Sequence, residues 1–167
     1  YQTVPKSKIG LSVALADRLD SLVGLFAAGL APTGTKDQFG LRRAALGVLR
    51  ILVEHSLPLS LHELVNAAFA GYAGRVGGAH TDLETFIFDR FAGYLKERGY
   101  STLEVDSVLC MNPVRINLVP QQLDAVRAFL MLPEAESLAA ANKRVANILR
   151  QAQGKGESFQ DAEASML

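Results

Sequence analysis

The sequence predicts an all-α fold: one or more helical bundles arranged as two small helical subdomains. Three observations carry this prediction. No stretch sustains the period-two alternation of a half-buried strand. A Thr or Ser stands three residues ahead of Gln or Glu at the head of an apolar run in Thr35/Gln38, Ser60/Glu63, Thr81/Glu84 and Ser101/Glu104. In such a capping box the hydroxyl accepts from an orphan backbone N–H, and the longer side chain bonds back to the cap. Between the runs lie Gly and Pro breaks, at Pro32 and Gly34, at Pro58, at Gly71 to Gly78, at Gly99 and at Pro113.

The elements follow in order. A polar lead, residues 1–7, precedes a helix from about Ser7 to Leu30 that is apolar nearly all round. Its exceptions Asp17, Asp20 and Ser21 share one face. After the loop 31–35, a helix is expected from Lys36 to Leu57, capped by Thr35, with Asp37 placing negative charge in the first turn. Leu41, Ala45, Val48, Leu49 and Leu52 recur at helical spacing, and Phe39, Leu46 and Ile51 widen the stripe. Such a helix packs against several others. Its polar line is Arg43, Gly47, Arg50 and Glu54, which is either a solvated face with an Arg50–Glu54 pair or a contact for phosphates or carboxylates.

Ser60 opens a helix to about Ala70, with His62 exposed in its first turn. The glycines of GYAGRVGGAH (71–80) mark the expected domain boundary. Thr81 then starts a helix to Arg98, with Gly99 as the left-handed residue beyond it. Ser101 starts a short helix to Met111, stopped by Asn112-Pro113. Pro120 and Pro133 sit at the heads of the last two helices, which reach about Met131 and Gln153. The polar tail 154–167 is expected to be disordered.

Bulk properties exclude several classes. Lys+Arg and Asp+Glu are both 17, so there is no global field for nucleic acid or membrane. The single cysteine, Cys110, excludes an internal disulfide and a multi-cysteine zinc site. Its apolar run, Val108 to Met111, predicts a buried thiol, and a reduced cytoplasmic setting fits. No apolar run approaches the roughly 20 residues of a membrane-spanning helix. The chain opens at Tyr1, almost directly into a helix, which suggests a piece of a longer protein. GLAPTGTK (Gly29 to Lys36) is a near miss for a P-loop: Gly34-Thr35-Lys36 has the wrong order and follows a helix.

Three motifs in series resemble one family. PTGTKDQFGLRRAALGVLRIL, Pro32 to Leu52, resembles a segment of the bacterial glycyl-tRNA synthetase β subunit. That segment usually reads PTGSKDPFALRRAALG, so Gln38 stands where Pro is usual and Gly40 where Ala is usual. LADRLDSL, Leu15 to Leu22, is similar to the last motif of the HD superfamily, in which Asp17 matches a metal ligand. The other ligands of that superfamily are absent, and a lone carboxylate builds no metal site, so no metal is expected. Pairing of Asp17 and Asp20 with Arg18, or capping of a neighbouring helix, is the plainer use. TFIFDRFAGYLKERGYSTLEVDSVL and LPEAESLAAANKRVANIL resemble the anticodon-binding, DALR-like helical bundle of the same β subunit.

The resemblance implies a domain plan: 1–30, the end of an HD-like domain; 31–78, a connecting helical region; 79–153, the DALR-like bundle; 154–167, the tail. It implies glycine–tRNA ligation by a cytoplasmic tetramer of two α and two β subunits. The α subunit would use ATP and Mg; the β subunit would position tRNA(Gly), including its anticodon. This chain is then expected to hold no catalytic residue and no cofactor, and to partner tRNA(Gly) and the α subunit, with no membrane.

Residues 81–150 carry eight basic and nine acidic side chains, so RNA binding requires the charges to segregate. Lys143, Asn147 and Arg150 fall at i, i+4 and i+7, with Arg144 and Gln151 alongside, and Glu134 and Glu136 near the start of that helix. This face suits a phosphate backbone, and Asn147 suits an unstacked base edge. Arg90 is a further candidate, with Arg42, Arg43 and Arg50 as secondary ones. Phe88, Phe91 and Tyr94 are either core or base-stacking residues. Two readings from other classes stay open: an HD-type metal-dependent phosphohydrolase remnant relying on Asp17, and an all-α protein-interaction module.

Overall fold

The structure is a computed structural model that describes residues 4–72 and 79–154, with side chains to Gln151. Its helices are α1 (Lys8–Ala27), α2 (Leu41–Glu54), α3 (Leu61–Ala70), α4 (His80–Glu97), α5 (Thr102–Leu109), α6 (Val119–Leu130) and α7 (Ala135–Gly154), with a 3₁₀ turn at Ile116–Leu118. No strand occurs among the described residues. A single isolated bridge joins Thr33 to Lys36. The fold is all-α, as predicted. The chain forms two compact units, one through Asp124 and one from Ala125, dividing within α6.

In the first unit α1 packs on α2, α3 and α4, and α4 also meets α2, α3 and α5. α2 lies at the centre of this arrangement. Leu41, Ala45, Val48, Leu49, Ile51, Leu52 and Val53 are all buried, so its wide apolar stripe is covered by α1 on one side and α4 on another. Leu22 and Val23 of α1 and Leu83, Ile87, Phe91 and Leu95 of α4 complete the core. Helices from both sides of the 71–80 glycines therefore share one core. Gly74, Gly77 and Gly78, and the tail after Gly154, lie outside the described residues. The second unit comprises the end of α6 and α7, and most of its side chains are exposed.

Local signals explain the helix ends. The hydroxyls of Ser7, Ser60 and Ser101 accept from the N–H of Gly10 (3.1 Å), Glu63 (3.3 Å) and Glu104 (3.2 Å). At Ser101 the box is complete, because its own N–H donates to the Glu104 carboxylate at 2.6 Å. α1, α2 and α4 each close with paired bonds back to the last turn, through a left-handed residue: Gly29 (φ 73°), Ser56 (φ 49°) and Gly99 (φ 91°). Ser56 is the one without glycine's freedom. A non-glycine left-handed residue costs about 1–2 kcal/mol, against about 0.5–1 kcal/mol for the extra chain entropy of glycine. Ser56→Gly is thus expected to raise stability by about 0.5 kcal/mol, read as a higher urea midpoint; a lower midpoint would contradict the strain.

Two expected capping boxes do not form. Residues 37–40 make a turn that ends on left-handed Gly40 (φ 69°), so α2 starts at Leu41 and not at Lys36. The Asp37 carboxylate then caps it, accepting from the N–H of Leu41 (2.8 Å) and Arg42 (3.0 Å). A charged acceptor with two donors displaces the Thr35 hydroxyl. α4 starts at His80, before Thr81, with Ala79 at its cap and no side-chain cap bond. The His80 ring stacks on Phe69 at 3.6 Å between centroids, and Glu84 is held by His62 Nδ1 at 2.7 Å instead of reaching back. Tertiary partners outcompete the local box at this end. The Cys110 thiol, expected inside, is exposed. Val108 takes the inward position, while Cys110 caps the helix end and its Sγ donates to the Ser107 carbonyl at 3.4 Å.

Candidate nucleic-acid interface

The predicted α7 residues lie on an exposed helix. Lys143, Arg144, Asn147 and Arg150 are all exposed. Lys143, Asn147 and Arg150 share one face by helical geometry, and Leu138 and Val145 fall on the other. Glu136 lies in the first turn of α7 and Glu134 just before it, leaving the middle and end of the face cationic and amide-bearing.

The other candidates scatter. Arg90 is half-buried on α4, 5.9 Å from the Phe86 ring centroid, and its Nε is buried without a hydrogen-bond partner. Arg42 donates to the carbonyls of Gly34 and Thr35, tying the 31–40 loop to α2. Asp17 is exposed, and among the described residues no three His, Cys, Asp or Glu side chains converge to hold a metal ion. Phe91 and Tyr94 are buried and belong to the core side of α4, while Phe88 is half-buried.

Arg43 and Arg50 line a cleft of about 920 Å³ in the first unit, between α1, α2 and α4. Arg18 of α1 and Tyr94 and Arg98 of α4 join them there. Glu54 is shared: its Oε1 lies 2.9 Å from Arg50 Nε and 3.2 Å from Arg98 Nη2. Arg98 also sits over the Tyr94 ring, 4.5 Å from its centroid. The Tyr94 hydroxyl is buried, within reach of the Glu54 carboxylate. Burial pushes the Tyr94 phenol up from its ordinary pKa, the Arg98 charge pulls it back, and the Glu54 charge adds to the rise.

Arg18 crosses α2 at Gly47, where an added Cβ would overlap its Nε and Cδ. That close approach is the physical reason a glycine interrupts the polar line of α2. Sequence reasoning placed Arg43, Gly47 and Arg50 on one line but missed Arg18, Tyr94 and Arg98, which reach the cleft from two other helices. The out-of-place Gly47 was the one available signal.

Residues 1–110 match the family model described as "Glycyl-tRNA synthetase beta subunit". The chain is 58% identical over 153 residues to the glycine–tRNA ligase beta subunit of Thiobacillus denitrificans, covering 91% of this chain and 22% of that protein. It is 53% identical over 150 residues to that of Paracidovorax citrulli, covering 90% of this chain and 21% of that protein. To that of Leptothrix cholodnii it is 50% identical over 159 residues, covering 95% of this chain and 22% of that protein. These relatives are subunits of an aminoacyl-tRNA ligase. The chain belongs to the glycyl-tRNA synthetase β-subunit family, and it spans about a fifth of the length of the curated relatives it matches. No helix among the described residues is long and apolar enough to cross a membrane.

Proposed function

We propose that this chain is a tRNA-binding part of the β subunit of glycine–tRNA ligase. It positions tRNA(Gly), including its anticodon, for glycylation by the α subunit within a cytoplasmic α2β2 enzyme. The observation that carries this reading is the α7 face, on which Lys143, Arg144, Asn147 and Arg150 are all exposed together. Such a face supplies phosphate contacts and one amide able to read a base edge. The domain plan belongs to the same proposal: an HD-like end over 1–30, a connecting region over 31–78, and an anticodon-binding bundle over 79–153. In it, ATP and Mg serve the α subunit, and this chain contributes orientation without cofactor or catalytic group.

The test is binding of the chain to a tRNA(Gly) transcript and to one with altered anticodon bases, by fluorescence anisotropy at two salt concentrations. Tighter binding to the unaltered transcript, weakened by salt, is the expected result. Equal affinity for both transcripts would remove anticodon recognition from this chain. No binding at low salt would favour a protein-interaction module.

A further inference from the structure

A second groove, of about 490 Å³, opens in the first unit between α3, α4 and the end of α5. Its wall is apolar at Phe88, Leu109, Pro113 and Val114, and Val114 is 67% exposed to water. Two carboxylates, Glu84 and Asp89, share the lining, and no Lys or Arg does. His62 lies 2.7 Å from Glu84 and 2.9 Å from Asn66, so Glu84 is already engaged. Asp89 is exposed and makes no hydrogen bond or ion pair among the described residues. The groove thus sets an uncovered apolar wall beside one carboxylate that has no counter-charge in the lining.

Such a lining repels phosphate and suits a cation carried on an apolar stem. RNA brings the wrong charge, and like charges brought together select against a partner. Arginine fits on three counts. Its guanidinium makes charge-assisted, often bidentate bonds to a carboxylate; its aliphatic stem lies along apolar surface; and its plane can sit on an aromatic ring. Arginine is also among the residues that most often anchor protein interfaces. The exposed α7 cations carry the opposite sign, so the two surfaces select partners of different classes. We propose that this groove docks the α subunit of the enzyme through an arginine side chain, its guanidinium on Asp89 and its stem against Phe88 and Val114. This rests on the reading of the chain as a part of the β subunit, which already supplies the α subunit as protein partner, and it names the surface where the two meet.

The experiment measures binding of the purified α subunit to the wild-type chain, Asp89→Asn, Asp89→Glu and Val114→Ser by biolayer interferometry, with affinity for the tRNA(Gly) transcript read on the same samples. Asp89 and Val114 are both exposed, so the variants keep their fold, which circular dichroism checks. Asp89→Asn is expected to weaken α-subunit binding about tenfold, the size of one hydrogen bond between charged groups. Asp89→Glu keeps the charge and is expected to stay within about threefold of wild type. Val114→Ser is expected to lose about fivefold through the apolar contact it gives up. Affinity for tRNA is expected to be the same in all four. A loss for Asp89→Glu as large as for Asp89→Asn would make the charge irrelevant and overturn the arginine assignment. Weaker tRNA binding by Asp89→Asn at unchanged α-subunit affinity would assign the groove to RNA and overturn it as well. If Asp89→Asn and Val114→Ser bind the α subunit like wild type, or the wild-type chain does not bind it, the groove proposal falls. The tRNA readout then decides the tRNA-binding reading separately: binding of the transcript keeps it, and no binding removes it.

Discussion

Phe91→Ala is expected to lower the urea midpoint of the first unit by roughly 2 M. The side chain is 0% exposed and lies on α4, the helix that contacts α1, α2, α3 and α5. Emptying such a site removes the transfer energy of the ring and leaves a cavity, together about 3–5 kcal/mol. With a urea slope of about 1–3 kcal/mol per molar, that loss becomes the stated shift. A domain has only about 5–15 kcal/mol in total, so the variant sits near the edge of folding. The comparison is Phe88→Ala, three residues earlier and half-buried, which should shift the midpoint by less than half as much. Circular dichroism during urea titration reads both. Equal shifts for the two would mean that α4 is turned differently, with Phe88 inward. The same burial settles the choice between core and stacking for Phe91: a ring with no exposed surface has no face to offer a base.

The helices could be read from the sequence where the deciding interactions are local. The Ser101–Glu104 box needs only residues three apart, and both of its bonds form. Gly99 ends α4 because a left-handed residue closes the last turn, again within the same few residues. The apolar breadth of α2 correctly foretold neighbours on more than one side, since burial of seven side chains demands them. The same S/T-x-x-E/Q pattern misled at Thr35 and Thr81, where rivals entered that the pattern does not contain. At α2 the rival was Asp37, aided by a left-handed Gly40; at α4 it was Phe69 stacking on His80 and His62 holding Glu84. The cleft was illegible for a related reason. Arg18, Arg50 and Arg98 lie far apart in sequence, and only the crossing of α1 and α4 on α2 brings them together. Tyr94 looked like one more helical aromatic, because the burial of its hydroxyl beside Glu54 and Arg98 is a property of surroundings and not of spacing.

Lys143→Ala, Arg144→Ala and Arg150→Ala together are expected to weaken tRNA(Gly) binding about 100-fold near 0.1 M salt. Each phosphate contact on a flexible single strand releases about 0.7 of a counterion, worth about fivefold in affinity at that salt, and three such contacts multiply. The slope of log affinity against log salt should fall by about 2 for the same reason. Folding should be unharmed: all three side chains are exposed on α7, and alanine is the best helix former. Unchanged helicity by circular dichroism therefore separates lost contact from lost structure. Asn147→Ala should behave differently. An amide reading a base edge contributes discrimination more than charge, so this variant should narrow the affinity ratio between the unaltered and anticodon-altered transcripts and leave the salt slope alone. If the triple variant lost affinity without any change of slope, the three cations would not be touching phosphates. If Asn147→Ala flattened the slope as they do, the face would be a uniform electrostatic patch with no reading function. The two variants thus test gripping and selection separately on the α7 face, and each can fail without the other.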